Sequence, residues 1–90
     1  MKEFEKINEN ILENVTGGVR RTVYNDAVGY ANLRKAPGLN SDVFFTLRNG
    51  NRVDTTGNKV TKDGYTWYEV RLVDYDTGWT GWIAGSLIGY

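Results

Sequence analysis

The apolar residues near the start of the chain recur at helical spacing. They occupy an arc of about 140° on a helical wheel, and they are Phe4, Ile7, Ile11, Leu12 and Val15. The pair Gly17-Gly18 follows this stripe directly, and glycine is the residue that most often ends a helix. A helix this short is marginal in water because its nucleation is costly. The pattern therefore predicts an amphipathic segment that is disordered when free and helical when its apolar face is covered.

The pattern changes from residue 19 onward to short β-prone runs separated by turn residues. Strands are expected at 22–24, 28–34, 41–47, 52–56, 65–73 and 79–84, with one helical turn at 85–88. The separating turn signals are Pro37-Gly38, Asn49-Gly50, Gly57-Asn58 and Asp63-Gly64. Asn49-Gly50 is the strongest hairpin signal among them. Five or more short strands with this spacing predict an all-β fold, a small barrel.

The alternation of apolar and polar residues within these strands predicts which side chains form the core. One face of the strand at 65–73 carries Tyr68, Val70 and Leu72, and the other carries Trp67, Glu69 and Arg71. The expected core residues are Leu33, Val43, Phe45, Leu47, Val53, Tyr68, Val70, Ile83 and Leu87.

Composition excludes several kinds of chemistry. The 90 residues contain 11 basic and 11 acidic side chains, no Cys and no His. Thiol nucleophiles, imidazole bases and the usual zinc ligands are therefore absent, and we expect no enzyme activity, no metal and no cofactor. The carboxylates of Asp74 and Asp76 are close in sequence, but such pairs more often form turns than catalytic sites. Scattered basic residues do not predict a nucleic-acid groove, and no apolar run is long enough to insert into a membrane.

The first eighteen residues resemble the double-glycine leader of bacterial peptides, including bacteriocins, that peptidase-containing ABC transporters export. Counted back from Gly18, that family has apolar residues at the fourth, seventh and twelfth positions, here Val15, Leu12 and Ile7. Ile11 departs from the family, which often has Glu at the eighth position.

The resemblance implies a division into a leader, 1–18, and a mature part, 19–90, with cleavage between Gly18 and Val19. The implied partner is the exporter, whose papain-like cysteine peptidase domain binds the apolar stripe, holds the glycine pair in a tunnel too narrow for a Cβ atom and cuts after Gly18. The resemblance also implies that the chain is synthesised in the cytoplasm and that its mature part is then secreted through the transmembrane channel of the exporter. The alternative is a non-exported module whose N-terminal helix packs on its own domain and ends at a glycine cap.

The mature part resembles a bacterial SH3-like domain. The motifs that carry this resemblance occur in order along the chain: Asn32-Leu33-Arg34 with Pro37, Leu47 with Gly50, Trp67 with Val70, and Gly81-Trp82-Ile83. The resemblance implies a binding module for cell-wall peptides or other proteins.

Aromatic side chains, 13% of the chain, are the candidate ligand contacts. We expect a single ligand face formed by Tyr30, Trp67, Tyr75 and Trp79, with Asp74 and Asp76 as polar neighbours. For Trp67 and Trp79, packing against a sparse core is an equally good interpretation. Trp82 is expected to be structural.

Overall fold

The computed structural model describes residues 18–90, which form six strands and one short 3-10 helix. The strands are β1 (Arg20–Thr22), β2 (Tyr30–Arg34), β3 (Val43–Arg48), β4 (Arg52–Lys62), β5 (Tyr65–Leu72) and β6 (Thr80–Ala84). The 3-10 helix, Gly85–Ile88, is the predicted final helical turn. The all-β prediction is confirmed. Within the described residues no helix is both long and apolar enough to span a membrane.

All six strands belong to one antiparallel sheet that curls into a half-barrel. Their order is β1-β4-β5-β6-β2-β3, so β1 and β3 are the two edges. β6 pairs with β5 along five residues but with β2 only at Arg34↔Trp82. Backbone hydrogen bonds from Val23 to Asn51 (2.8 Å) and from Gly50 to Val23 (2.9 Å) close one end of the half-barrel.

The predicted hairpin at Asn49-Gly50 is wrong, although a turn is present there. β3 pairs with β2 and β4 pairs with β1 and β5, so the turn carries the chain from one part of the sheet to another. Only Gly50 has a positive φ, +94°, whereas a tight hairpin of the type I′ class needs positive φ at both central residues. That geometry occurs instead at Asp63 (φ +56°) and Gly64 (φ +80°), which join β4 to β5.

Gly57-Asn58 is not the predicted turn but an irregularity inside β4. The register between β4 and β5 shifts between Thr55 and Lys59, and Gly57 has φ +100°. Glu69 on the facing strand accepts hydrogen bonds from Thr56 Oγ1 (2.8 Å) and Asn58 Nδ2 (2.9 Å). The Glu69 carboxylate thus holds the side chains of the bulge, and the strand bends there and continues. The Gly-Asn pair alone does not show whether the chain turns or only bulges.

The core fills the concave side of the sheet. Five predicted members are buried there: Leu33, Leu47, Val53, Val70 and Ile83. Phe45, Tyr68 and Leu87 are partly buried against them. The core also contains Val23, Ala31, Leu72 and Ile88, which were not predicted to belong to it.

Val43 was predicted to be in the core and is instead 43% exposed. It pairs with Arg34 at the start of the edge strand β3, where the register between β2 and β3 shifts. Because the shift breaks the two-residue alternation, the pattern that buries Leu47 does not extend to Val43.

Candidate functional site

A cleft of about 370 Å³ opens beside β5, between the end of the β4–β5 hairpin and the 3-10 helix. We call it the Trp67 cleft, and its principal lining residues are Tyr30, Arg34, Leu39, Tyr65, Trp67 and Leu87. This volume lies within the range of small-ligand sites, which are typically about 300–1,000 Å³.

Trp67 forms the floor of this cleft. Trp67 is only 3% exposed, and its Nε1 donates a 2.9 Å hydrogen bond to the carbonyl oxygen of Lys62. Trp67 is in register with Ala84 of β6, so a small side chain faces it across the sheet. Tyr65, two residues earlier on the same strand, is 46% exposed and meets the Trp67 ring edge-on at 5.9 Å between centroids. The cleft therefore has a fixed aromatic floor and an accessible aromatic wall.

Arg34 orders the opposite wall. Its guanidinium carbon lies 5.8 Å from the centroid of the Trp67 ring. Its Nη1 donates to the carbonyl oxygens of Leu39 (3.1 Å) and Ser41 (2.9 Å). The backbone N–H of Leu39 in turn donates to Asp63 Oδ2 (2.9 Å), which ties this loop to the hairpin turn. One cation therefore shapes the wall and leaves a positive charge beside aromatic faces, which suits a polar, extended ligand such as a peptide.

The predicted single ligand face is divided between two places. Tyr30 and Trp67 line the Trp67 cleft, whereas Tyr75 and Trp79 are not among its lining residues. They pack with the aromatic residues of β3, and we call this set the aromatic patch: Phe44, Phe45, Tyr75 and Trp79. Phe45 lies 4.9 Å from Tyr75 and 6.0 Å from Trp79, both edge-on. Trp79 nevertheless remains 49% exposed.

The sequence interpretation did not include Tyr65, Arg34 and Leu39. Tyr65 shares strand parity with Trp67, so the alternation pattern already placed both on one face. Arg34 was considered only as part of a fold motif. Leu39 reaches the cleft because its loop is held by Arg34 and Asp63, and only the tertiary structure reveals these contacts.

Asp74, one of the two acidic residues expected beside the ligand face, has a structural partner in Arg52. Asp74 accepts hydrogen bonds from the backbone N–H of Arg52 (2.7 Å) and from its Nη2 (2.6 Å). In residues 18–90, no group of three or more His, Cys, Asp or Glu side chains is arranged to hold a metal ion.

Two hydrogen-bonded carboxylates on or beside β4 have pKa values below the ordinary 3.8. The Arg20 side chain, whose Nε lies 2.9 Å from Asp54 Oδ1, lowers the pKa of Asp54. The side chain and backbone N–H of Arg52 lower the pKa of Asp74. Both ion pairs are partly solvated, so their contributions to stability are small.

We expect these two pairs to contribute to acid sensitivity of the fold. Because both pKa values are lowered by folding, the unfolded chain binds more protons, and the stabilisation is complete only above the ordinary carboxyl pKa of 3.8. It is lost as the pH falls below that value. Urea unfolding at pH 7, 5 and 3 should show a smaller loss of stability in the variant Asp54→Asn/Asp74→Asn than in the parent. Equal losses in the two proteins would contradict this.

The predicted cleavage site is at the start of the described residues. Gly18 has φ +71°, its N–H donates to the carbonyl of Thr55, and Val19 immediately precedes β1. β1 therefore begins two residues earlier than the predicted first strand. The predicted leader contacts Phe4, Ile7, Ile11, Leu12 and Val15, together with Gly17, lie outside the described residues.

Comparison with known protein families assigns most of the chain to one family. The profile described as "Bacterial SH3 domain" matches residues 29–89, which is well over half of the chain. Searches of curated proteins and of solved structures each found no significant match. The matched range contains five of the six strands, the 3-10 helix and the principal lining residues of the Trp67 cleft. The chain therefore belongs to the bacterial SH3 domain family, a family of binding modules that are generally non-catalytic.

Proposed function

We propose that this bacterial SH3 domain binds a cell-wall peptide in the Trp67 cleft. The observation that carries the proposal is the arrangement of an accessible Tyr65 above a buried Trp67, with Arg34 on the facing wall. Aromatic and arginine side chains around a small cavity are the groups that contribute most to binding energy in protein recognition sites. Membership of a family whose members often bind cell walls supports the choice of ligand.

An extended peptide also suits the polar groups of the cleft. The side-chain amide of Asn25 is held by the carbonyl oxygen of Tyr30 (3.0 Å), so the rim of the cleft is ordered. Arg34 already donates hydrogen bonds to two loop carbonyls. Its main contributions to a ligand are therefore its positive charge and the flat face of its guanidinium, and not a pair of free donors. A neutral or carboxylate-terminated peptide lying across Tyr30 and Tyr65 suits both the ordered rim and the positive charge of Arg34.

Replacement of Tyr65 by alanine tests this assignment. We expect Tyr65→Ala to weaken binding to purified peptidoglycan about 5- to 30-fold, because an accessible aromatic contact contributes roughly 1–2 kcal/mol. Co-sedimentation with insoluble sacculi and titration with soluble stem peptides provide the measurement.

Trp79→Ala is the matched control, since Trp79 is similarly exposed but belongs to the aromatic patch. We expect it to leave binding unchanged. Loss of binding in Trp79→Ala with retention in Tyr65→Ala would move the ligand to the aromatic patch and reject the cleft.

We further propose that the domain reaches its ligand as the cargo of a peptidase-containing ABC transporter. In this proposal residues 1–18 are the leader, the exporter cuts between Gly18 and Val19, and the mature product 19–90 is released outside the cell. The support is the spacing of Ile7, Leu12 and Val15 from the glycine pair. The released domain acts either as a wall-binding factor or as a bacteriocin-like polypeptide.

Mass spectrometry distinguishes this proposal from a non-exported module with its N-terminal helix packed on its own domain. Incubation of the full chain with the peptidase domain of an exporter encoded beside it should yield a product that begins at Val19. The same product should accumulate in the culture medium. An intact chain in both experiments would favour the non-exported module.

A further inference from the structure

The backbone at the proposed cleavage site is already committed to the sheet. Thr55 of β4 accepts a hydrogen bond from Gly18 N–H at its carbonyl and one from Val19 N–H at Oγ1 (3.2 Å). The N–H of Thr55 donates to the carbonyl of Val19 (3.0 Å). Thr55 is only 6% exposed, so the bonds that fix the Gly18–Val19 peptide are partly shielded from water. A single residue of β4 therefore holds both residues that flank the bond.

The conformation of Gly18 is also not that of a bound protease substrate. Its φ of +71° places it in the left-handed region, while a substrate strand that pairs with a protease is extended. Before a peptidase can bind this segment, Gly18 must become extended and the hydrogen bonds of Gly18 and Val19 to Thr55 must break.

Contacts farther along the first strand resist that change. Arg21 Nε donates to the carbonyl of Ile88 (2.8 Å), and its Nη2 donates to the carbonyl of Gly89 (2.9 Å). The guanidinium also lies 4.2 Å from the centroid of the Tyr90 ring, which stacks on Tyr68 at 4.3 Å. Arg20 pairs with Asp54 of β4. The segment after the cleavage site is thus attached both to β4 and to the opposite end of the chain.

We propose that folding of the domain protects the Gly18–Val19 bond, so that the exporter's peptidase cuts only chains in which β1 is detached from β4. The inference rests on the proposed leader function and adds its regulation. When opening and closing are fast relative to cutting, the cleavage rate follows the population of the open form. Leader removal is then limited to chains that are still unfolded or have opened at this edge, the same chains that can enter a narrow export channel.

The test compares cleavage rates of full-length variants that share residues 1–24 with the parent. Leu47→Asp places a carboxylate at a fully buried core position in β3 and is expected to unfold the domain. It is the reference for an unprotected leader, and we expect it to be cut at least about tenfold faster than the parent. Thr55→Val removes the acceptor for Val19 N–H, and we expect cutting roughly five- to tenfold faster than the parent.

Two further variants separate local opening from general loss of stability. Tyr90→Ala removes the ring beneath Arg21 without altering the strand itself and should also accelerate cutting. Phe44→Leu lowers stability at the opposite sheet edge and should accelerate cutting less than Thr55→Val. Urea unfolding of each variant provides the stability against which its cleavage rate is compared.

Each outcome has a distinct meaning. Equal rates for the parent and Leu47→Asp would overturn the protection while leaving the leader proposal intact. Equal acceleration by Thr55→Val and Phe44→Leu, at matched stability, would overturn the assignment to β1. If Leu47→Asp is not cut at all, the leader function itself fails, and the protection fails with it.

Discussion

Gly18→Ala should sharply slow removal of residues 1–18 while leaving the domain folded. In the proposed mechanism the glycine pair passes through a tunnel that admits no Cβ atom. An added methyl group in such a tightly packed site costs roughly 1–3 kcal/mol, which corresponds to about a 5- to 150-fold lower cleavage rate. The measurement is the rate at which the isolated peptidase domain produces the fragment beginning at Val19.

Gly78→Ala is the matched control for this experiment. The two glycines have nearly the same backbone angle, φ +71° and φ +68°, and a Cβ at either position would meet no atom of residues 18–90 within 4 Å. Both substitutions therefore impose a similar strain, roughly 1–2 kcal/mol for a left-handed residue. Strain at Gly18 would loosen the first strand and weaken the protection of the bond. Backbone strain alone would therefore make cutting faster, not slower. A slower rate in Gly18→Ala but not in Gly78→Ala therefore reports the effect of the added Cβ in the peptidase, and equal rates would contradict the leader proposal.

Trp67→Ala should unfold the domain instead of only weakening its ligand binding. The side chain is almost completely buried and donates a hydrogen bond to Lys62. Replacement of a buried Trp by Ala costs roughly 3–5 kcal/mol, and a domain of this size is stable by only about 3–5 kcal/mol. Circular dichroism and urea unfolding of the variant provide the measurement.

Tyr65→Ala is again the informative comparison, because Tyr65 lines the same cleft on the same strand but is largely exposed. We expect it to stay folded with a stability within about 1 kcal/mol of the parent. Trp67→Phe, which keeps a ring but loses the donor to Lys62, should be intermediate. A Trp67→Ala protein with parental stability and no ligand binding would show that Trp67 is a ligand contact and not a packing residue.

The strands were predictable because each depends on a local pattern. The alternation around Val70 and the turn residues Asp63-Gly64 lie within a few positions of each other, and the structure has the expected strand and turn. The candidate site was only partly predictable. Trp67 and Tyr30 do meet in one cleft, but the distant loop that brings Leu39 beside them is held by Arg34 and Asp63.

The hairpin prediction at Asn49-Gly50 shows the limit of such local patterns. Two residues can specify a change of chain direction. Which strand pairs with which depends instead on the apolar faces that the paired strands bury in a common core. β4 lies between β1 and β5, because Val53 of β4 packs into the same core as Val70 and Leu72 of β5. The exposure of Val43 likewise depends on a register shift against β2.

The sequence by itself determined the all-β class, the order of the strands along the chain, most of the core and the family motifs, because periodicity and turn chemistry act over a few residues. The tertiary structure decided which strands pair, where β4 bulges, how the aromatic residues divide between the cleft and the patch, and that Thr55 holds Gly18 and Val19. Many of the contacts behind these features join residues that are distant in the sequence, such as Arg34 with Trp82, and Thr55 with Gly18 and Val19. Their energies depend on burial and hydrogen bonds that exist only when the sheet has curled.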